Sequence, residues 1–155
     1  MIDTFLDTDL PHVASLLRGL NALHVQRVPH RFHDDADPET LEAFLATLME
    51  QGGRILVYRA EGVPRGYLLW KLRDIPASAV ERGRRVAVLE HIAVAPSWRR
   101  RGIARRLVER FETGIRSEGC EGWVTTVHSF NAASGALMRR AGARAAVELL
   151  EKQLV

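Results

Sequence analysis

Residues Val86–Phe111 read VAVLEHIAVAPSWRRRGIARRLVERF, and three successive parts of this stretch decide how the chain folds. Val86, Ala87, Val88 and Leu89, followed by Ile92, Ala93 and Val94, form an apolar run with the length and branched composition of a buried strand. Pro96 interrupts the ladder, and Arg99-Arg100-Arg101-Gly102-Ile103-Ala104 follows as a basic turn. From Ile103 onward Ala104, Leu107, Val108, Phe111 and Ile115 recur at the spacing of one face of an amphipathic helix. A strand that feeds a glycine-containing turn and then a helix start is an anion site in outline. The first N–H groups of the helix lack intrahelical acceptors and share the positive end of its dipole.

Working outward, Ile2–Leu6 alternates as a short first strand. Asp7 or Thr8 is placed to cap a helix over Leu10, Val13, Ala14, Leu16, Leu17, Leu20 and Leu23, with Pro11 in its first turn. Residues 25–37 carry Pro29, His30, Phe32 and His33 without a period and are predicted as a loop. Asp37-Pro38-Glu39 opens a second helix that closes at Gly52-Gly53. Arg54–Ala60 and Gly66–Leu72 form a hairpin across Glu61-Gly62-Val63-Pro64, and a polar loop, Arg73–Gly83, leads into the central strand. Glu121–Val127 is a further strand. Asn131 caps a helix over Ala132–Ala141 that ends at Gly142, and Arg144–Val155 alternates loosely as a last strand. This order predicts an α/β arrangement with helices around one mixed sheet, in a single domain spanning residues 1–155.

Composition narrows the functional classes. With 46% hydrophobic and 26% charged residues over 155 positions, the chain has enough apolar material for a core and is not of the disordered type. No apolar run approaches the ~20 residues of a membrane span, and the lone Cys120 excludes an internal disulfide, so no membrane partner and a cytoplasmic location are expected. The net charge of +3 rests on arginine, the lysines being Lys71 and Lys152 alone. Its densest groups are Arg99–Arg101 with Arg105 and Arg106, and Arg139 with Arg140; clusters beside a phosphate-type loop suit a polyanionic cofactor as well as they suit DNA, and because no DNA-reading motif frames them no nucleic-acid partner is expected.

Arg99-x-x-Gly102-x-Ala104, preceded by Ile92-Ala93-Val94-x-Pro96, resembles the acetyl-coenzyme A motif of the GCN5-related N-acetyltransferase (GNAT) superfamily. That motif is Arg or Gln-x-x-Gly-x-Gly or Ala after a strand ending Val-x-Pro. Asn131-Ala132-Ala133-Ser134 through Gly142 resembles the family's Asn-x-x-Ala…Tyr-x-x-x-Gly-Phe segment at matching spacing, and the order of elements agrees over most of the chain. The resemblance implies a mostly antiparallel central sheet and an acetyltransferase using acetyl-CoA as donor, with no metal. It assigns cofactor binding to Ile92, Ala93 and Val94 as backbone partners of the pantetheine arm. The turn Arg99, Arg100, Arg101, Gly102, Ile103 and Ala104 would take the pyrophosphate, with Asn131 at the start of the last helix. It also admits a homodimer, to which the final strand could contribute.

Acetyl transfer to an amine needs a base. A lysine-like amine with pKa ~10.4 is neutral about once in 2,500 molecules at pH 7, and only the neutral form attacks. Glu90 interrupts the apolar strand and stands nine residues before Arg99, where several small-amine-acetylating members carry a carboxylate. Buried and unpaired it would be a base of raised pKa; paired with an arginine it would be structural. His91 is the competing candidate. Regular alternation puts Glu90 with Val88 and Ile92 on one face and His91 with Leu89 and Ala93 on the other, unless a bulge intervenes. The family's thiolate-protonating tyrosine is replaced by Met138, leaving Ser129, Ser134 or water as donors, or unassisted departure.

By the same resemblance acceptor selectivity falls to His24, Pro29, His30, Phe32, His33, Trp70 and the Arg73–Gly83 loop. The spacing of the three histidines fits no zinc template, and Asp34, Asp35 and Asp37 form an acidic rim or serve as caps. Trp98, Trp123 and Cys120 are expected to pack. The acceptor is expected to be a small-molecule amine. The alternatives are a protein N-terminus or lysine as acceptor, and a non-catalytic acyl-CoA-binding sensor or interaction module.

Overall fold

Five strands form one sheet in the order β1-β2-β3-β4-β5, and the helices pack on its two faces. The computed structural model describes residues 1–155. In chain order the elements are β1 (Ile2–Thr4), α1 (Leu10–Arg27), α2 (Pro38–Glu50), β2 (Arg54–Ala60), β3 (Val63–Ile75), β4 (Arg84–Val94), α3 (Ile103–Ser117), β5 (Gly122–Thr125) and α4 (Ala132–Arg140). Every neighbouring pair is antiparallel except β4 and β5, which run parallel. The connection between those two is α3, the crossover that a parallel pair requires.

Local chemistry accounts for most boundaries. Asp37 accepts the Thr40 N–H at 2.7 Å and so caps α2, with Pro38 in the first turn where its missing donor costs nothing. Between β2 and β3, Glu61 and Gly62 both take positive φ (55° and 75°), the geometry of a two-residue hairpin turn. The hairpin therefore turns earlier than the Glu61–Pro64 turn predicted, and Pro64 lies within β3 opposite Arg59, next to a bulge at Arg65 of β3, which has no counterpart in β2.

The sheet separates two cores. On one face α3 lays Ile103, Leu107, Val108, Phe111 and Ile115 over Leu68, Trp70, Ala87 and Leu89, joined by Met138 from α4. On the other, Val13, Ala14 and Leu17 of α1 with Leu45 of α2 cover Ile55, Val57, Tyr67 and Leu69. Residues at alternate positions of β3 thus serve opposite cores, which is why this central strand is apolar on both sides.

Three expectations are corrected. Neither Asp7 nor Thr8 caps α1. Residues Asp7–Asp9 form a 3-10 turn, and the Asp9 carboxylate instead accepts the Leu6 N–H at 2.7 Å and the guanidinium of Arg59. The loop after α1 starts at Val28, because the helix continues to Arg27 and ties its last turn through Val28 N–H to the His24 carbonyl. Arg144–Val155 forms no strand; it leaves α4 as an extended arm with Val147, Leu149, Leu150, Leu154 and Val155 exposed. Alternation there is real, but within this chain no edge strand pairs with it.

The Asp9–Arg59 pair pins the N-terminal segment to β2, and Asp9 is only 3% exposed. Arg59→Ala would leave that carboxylate buried without its cation. A loss of about 3–5 kcal/mol in unfolding free energy is expected by denaturant titration. A loss below ~1 kcal/mol would mean that water reaches Asp9.

Candidate active site

After β4, a short 3-10 turn (Pro96–Trp98) delivers the chain to Arg99–Gly102 and then into α3. Arg100 and Gly102 both take left-handed φ, 60° and 74°. Arg106 N–H is the first in the helix to find an acceptor, the Gly102 carbonyl at 3.1 Å. The six consecutive N–H groups from Arg100 to Arg105 have no protein acceptor. Glycine at 102 is a conformational requirement, since a β-carbon there would touch no other atom yet would hold a backbone that other residues resist.

Positive charge surrounds this turn. Arg99 folds back so that its Nε donates to the Val94 carbonyl at 3.1 Å. Arg101 lies 4.5 Å from the Trp98 ring centroid, and Arg65 of β3 lies 5.2 Å from the same ring. Arg105 pairs with Glu109, whereas Arg99, Arg100 and Arg101 meet no carboxylate. Trp98 therefore packs, as expected, and also carries guanidinium groups. Arg65 is a cation of this site that the motif does not mark.

A wedge opens beside the turn. β4 pairs with β5 only from Val86↔Gly122 to Leu89↔Thr125, and Thr125 Oγ1 closes the last step on the Leu89 carbonyl at 2.9 Å. Beyond it β4 runs on through Ile92, Ala93 and Val94 with β3 alone beside it. Ala95 N–H donates to the Arg65 carbonyl. By alternation the backbone groups of Ala93 then face β3, and those of Ile92 and Val94 face the open side. From Glu90 to Val94 this free edge is about 13 Å long at ~3.3 Å per residue. Asn131 accepts the Ser134 N–H at 3.1 Å and caps α4.

At the other end of the free edge β4 is irregular. Leu69 pairs with His91 and Trp70 with Leu89, so Glu90 is an extra residue with no counterpart in β3. This bulge overturns the regular alternation. Leu89 and Ile92 face the α3 core, while His91 and Ala93 lie on the α1/α2 side with Tyr67. The Glu90 carboxylate reaches the same side, where Lys71 Nζ is 3.2 Å away. Both candidate bases thus share one face. Glu90 is neither buried nor unpaired, its side chain being 34% exposed, and its partner is a lysine rather than an arginine. Trp70, placed by sequence among the acceptor-selecting residues, is instead buried against Phe111 on the opposite face.

Tyr67 and His91 form a buried pair, with Tyr67 Oη 3.2 Å from His91 Nδ1. Tyr67 is fully buried, and burial holds its phenol protonated far above its usual range. The hydroxyl proton needs an acceptor, and Nδ1 is the one in reach, which assigns neutral His91 its hydrogen on Nε2. Burial also lowers the pKa of His91, an effect that the neighbouring Glu90 charge opposes. Phe44 of α2 stacks on the imidazole at 6.4 Å between centroids. Phe44, with Leu17 and Leu41, walls a cavity of about 300 Å³ between α1 and α2, whose rim includes Arg18, His33 and Asp34. Arg18 and Asn21 donate to the Ala36 and His33 carbonyls at 2.6 and 2.7 Å and fasten the rim loop.

The remaining sequence candidates are dispersed. His24 packs with Phe32, His128 and Phe130, ring centroids 5.1–5.5 Å apart, joining the end of α1 to the segment after β5. His30 contacts Glu151, and His33 contacts Asp35. Met138 is 4% exposed and belongs to the core under α3 and α4. Trp123 donates to Glu112 at 2.9 Å, and Cys120 is half-buried just before β5 with its thiol pKa pushed up by desolvation.

The acetyltransferase (GNAT) family pattern matches residues 18–143, a span that contains the turn, the wedge and the bulge. The chain belongs to this family. Its fold is shared by BH1408 from Bacillus halodurans, a point mutant of which superposes with TM-score 0.89 at 20% identity, over 100% of this chain and 99% of that one. The aminoglycoside N-acetyltransferase AAC(6')-Iy, solved in complex with CoA, has TM-score 0.76 at 19% identity, over 99% and 93% of the two chains. An acetyltransferase of Trypanosoma brucei has TM-score 0.70 at 18% identity, over 99% of each. No protein of curated function matches the chain in sequence. No helix of this GNAT chain is long and apolar enough to cross a membrane.

The Tyr67–His91 pair has a consequence for stability. His91 has a folded pKa below its unfolded value near 6.5. The unfolded chain therefore binds more protons as pH falls, and stability is lost through and below that region. In His91→Gln the fall in melting temperature between pH 7.5 and 5.5 is expected to be smaller than in the unsubstituted protein. Parallel curves would show that His91 is solvated.

Proposed function

We propose that the chain is an N-acetyltransferase that moves the acetyl group of acetyl-CoA to the primary amine of a small molecule, by direct attack in a ternary complex. The observation that carries this reading is the run of six unpartnered N–H groups at Arg100–Arg105, set at one end of an open strand edge whose other end carries Glu90. The turn, with Arg99, Arg101 and Arg65 near it, would hold the pyrophosphate. The open edge at Ile92 and Val94 would pair with the pantetheine arm and bring the thioester toward the bulge.

Glu90 is assigned as general base. His91 competes poorly, because its Nδ1 lone pair is engaged by Tyr67 and its Nε2 already carries hydrogen. The Glu90 carboxylate takes a proton from the bound ammonium group, directly or through water. The amine nitrogen then bonds to the thioester carbon, the carbon–sulfur bond breaks, and the thiolate of a thiol with pKa ~8.5 leaves without a dedicated acid. The cavity beside Phe44 favours a small acceptor with an apolar body and the acidic Asp34 at its rim. A single cysteine fits a cytoplasmic setting. Burial of Met138 in the core favours, as second reading, a module that binds acyl-CoA without turnover.

A thiol-release assay with acetyl-CoA over amines, polyamines, aminoglycosides, amino acids and peptides tests the assignment. Release with a small amine supports it; silence with acetyl-CoA binding intact selects the second reading. Gly102→Val is expected to weaken acetyl-CoA binding at least tenfold in calorimetry, while costing only on the order of 1 kcal/mol of backbone strain. Unchanged affinity removes the turn from the site. Glu90→Gln is expected to depress turnover most at low pH and progressively less as the amine loses its own proton. A loss independent of pH would assign Glu90 to positioning.

A further inference from the structure

The chain carries few amines of its own: the side chains of Lys71 and Lys152, and the α-amine of Met1. Only one of them meets a carboxylate. Lys71 Nζ lies 3.2 Å from a Glu90 oxygen. The Met1 ammonium donates instead to the Arg59 carbonyl at 3.1 Å, and Lys152 is exposed in the C-terminal arm without an acidic partner. Two features bring Lys71 and Glu90 together. Along β3, Tyr67 and Leu69 belong to the α1/α2 core, so Lys71, one further step of two, points to the same face. The bulge in β4 turns the Glu90 carboxylate onto that face as well. The side chains are 46% and 34% exposed. A pair so open to water adds little to stability, so nothing in the fold requires it to stay closed.

An ammonium group in contact with Glu90 occupies the place that acetyl transfer gives to the acceptor. We propose that Lys71 is an acetyl-acceptor site of this chain, modified within the same molecule whenever acetyl-CoA is bound and no other amine has displaced it. The step rests on the acetyl-transfer reading and uses the same parts. A free lysine amine is neutral about once in 2,500 molecules at pH 7, and Glu90 removes that obstacle by taking one proton from Nζ. The Nζ lone pair then bonds to the thioester carbon, the carbon–sulfur bond breaks, and the electron pair leaves on sulfur. The second proton lost from nitrogen as the amide forms goes to the departing thiolate or to water. The product amide is neutral and no longer nucleophilic, so the reaction stops at a single acetyl group on Lys71. Lys152 has the same side chain without the base, and serves as an internal reference.

The full chain, incubated with acetyl-CoA bearing a trideuterated acetyl group and no added amine, is followed by intact mass and by peptide mapping. Label is expected on Lys71 about a hundredfold faster than on Lys152, at a rate per chain that does not change when the protein is diluted. Glu90→Gln is expected to slow Lys71 labelling by about the same factor. Lys71→Arg keeps a cation beside Glu90 and is expected to take no label above the Lys152 level. Equal labelling of Lys71 and Lys152, a Lys71 rate unaffected by Glu90→Gln, or a rate that falls on dilution overturns the proposal. Thiol release with added amines on the same preparation separates the two readings. Turnover of an added amine with Lys71 unlabelled in its absence overturns the self-modification alone. No release and no label, with acetyl-CoA bound, overturns acetyl transfer and self-modification together.

Discussion

One extra residue in β4 sets the geometry of the whole site. β4 must serve the α3 core through Ala87 and Leu89, and serve it again through Ile92 and Val94 where Ile103 packs. Strict alternation cannot do both, since an even step links 87 to 89 and an odd step links 89 to 92. The bulge at Glu90 resolves the conflict, and it does so by spending a position that has no counterpart in β3. That position is free of ladder duty, so it can carry a charge in the middle of an apolar strand. The same irregularity turns His91 onto Tyr67 and coincides with the end of pairing to β5. Core packing and the candidate chemistry are therefore two outcomes of one register shift.

The other end of the free edge is governed by what its backbone cannot do. A helix start normally finds a side-chain cap. Here the cap position is Gly102, which has no side chain, and no Ser, Thr, Asp or Asn substitutes for it. Left-handed φ at Arg100 and Gly102 prevents the preceding turn from folding its carbonyls over the amides. Donors left unmade in this way cost stability unless water or an anion takes them. Three arginines without carboxylate partners make a multiply charged anion the better occupant.

The parts of this architecture written in local chemistry are legible in the sequence. Asp37 and Asn131 as caps, the Gly102 turn, the apolar face of α3 and the two strands of the hairpin all follow from residues within a turn or two of one another. What failed depends on distance along the chain. Alternation around Glu90 gave the wrong faces, because the register is imposed by β3 and by Ile103, neither visible in the β4 sequence. Trp70 looked like a site residue beside Lys71, yet its neighbours across the sheet send it to Phe111. Tyr67 and Phe44 gave no signal, since a tyrosine in an apolar strand and a phenylalanine on an apolar helix face are ordinary core residues. The Arg144–Val155 arm has the pattern of a strand, but pattern alone does not supply a neighbour.

Charge is distributed unevenly along the wedge, with guanidinium groups that meet no carboxylate at one end and a carboxylate–ammonium pair at the other. Arg99, Arg100 and Arg101 lie beyond Val94 at one end and Glu90 with Lys71 at the other, and the strand span from Glu90 to Val94 alone, about 13 Å, exceeds the ~8 Å screening length at physiological salt. Each end thus acts on its own ligand with little cancellation by the other. In the proposed reaction the turn would take the polyanion and the Glu90 carboxylate the ammonium group, which would orient two substrates toward each other without a contact between the two protein sites. Lys71 refines the second end. Lys71 Nζ lies 3.2 Å from the Glu90 carboxylate and holds it in place, and in the proposed reaction an arriving ammonium group would replace Lys71 with a charge of the same sign. Such an exchange would leave the carboxylate paired throughout, so that its desolvation would not fall on an unpaired anion.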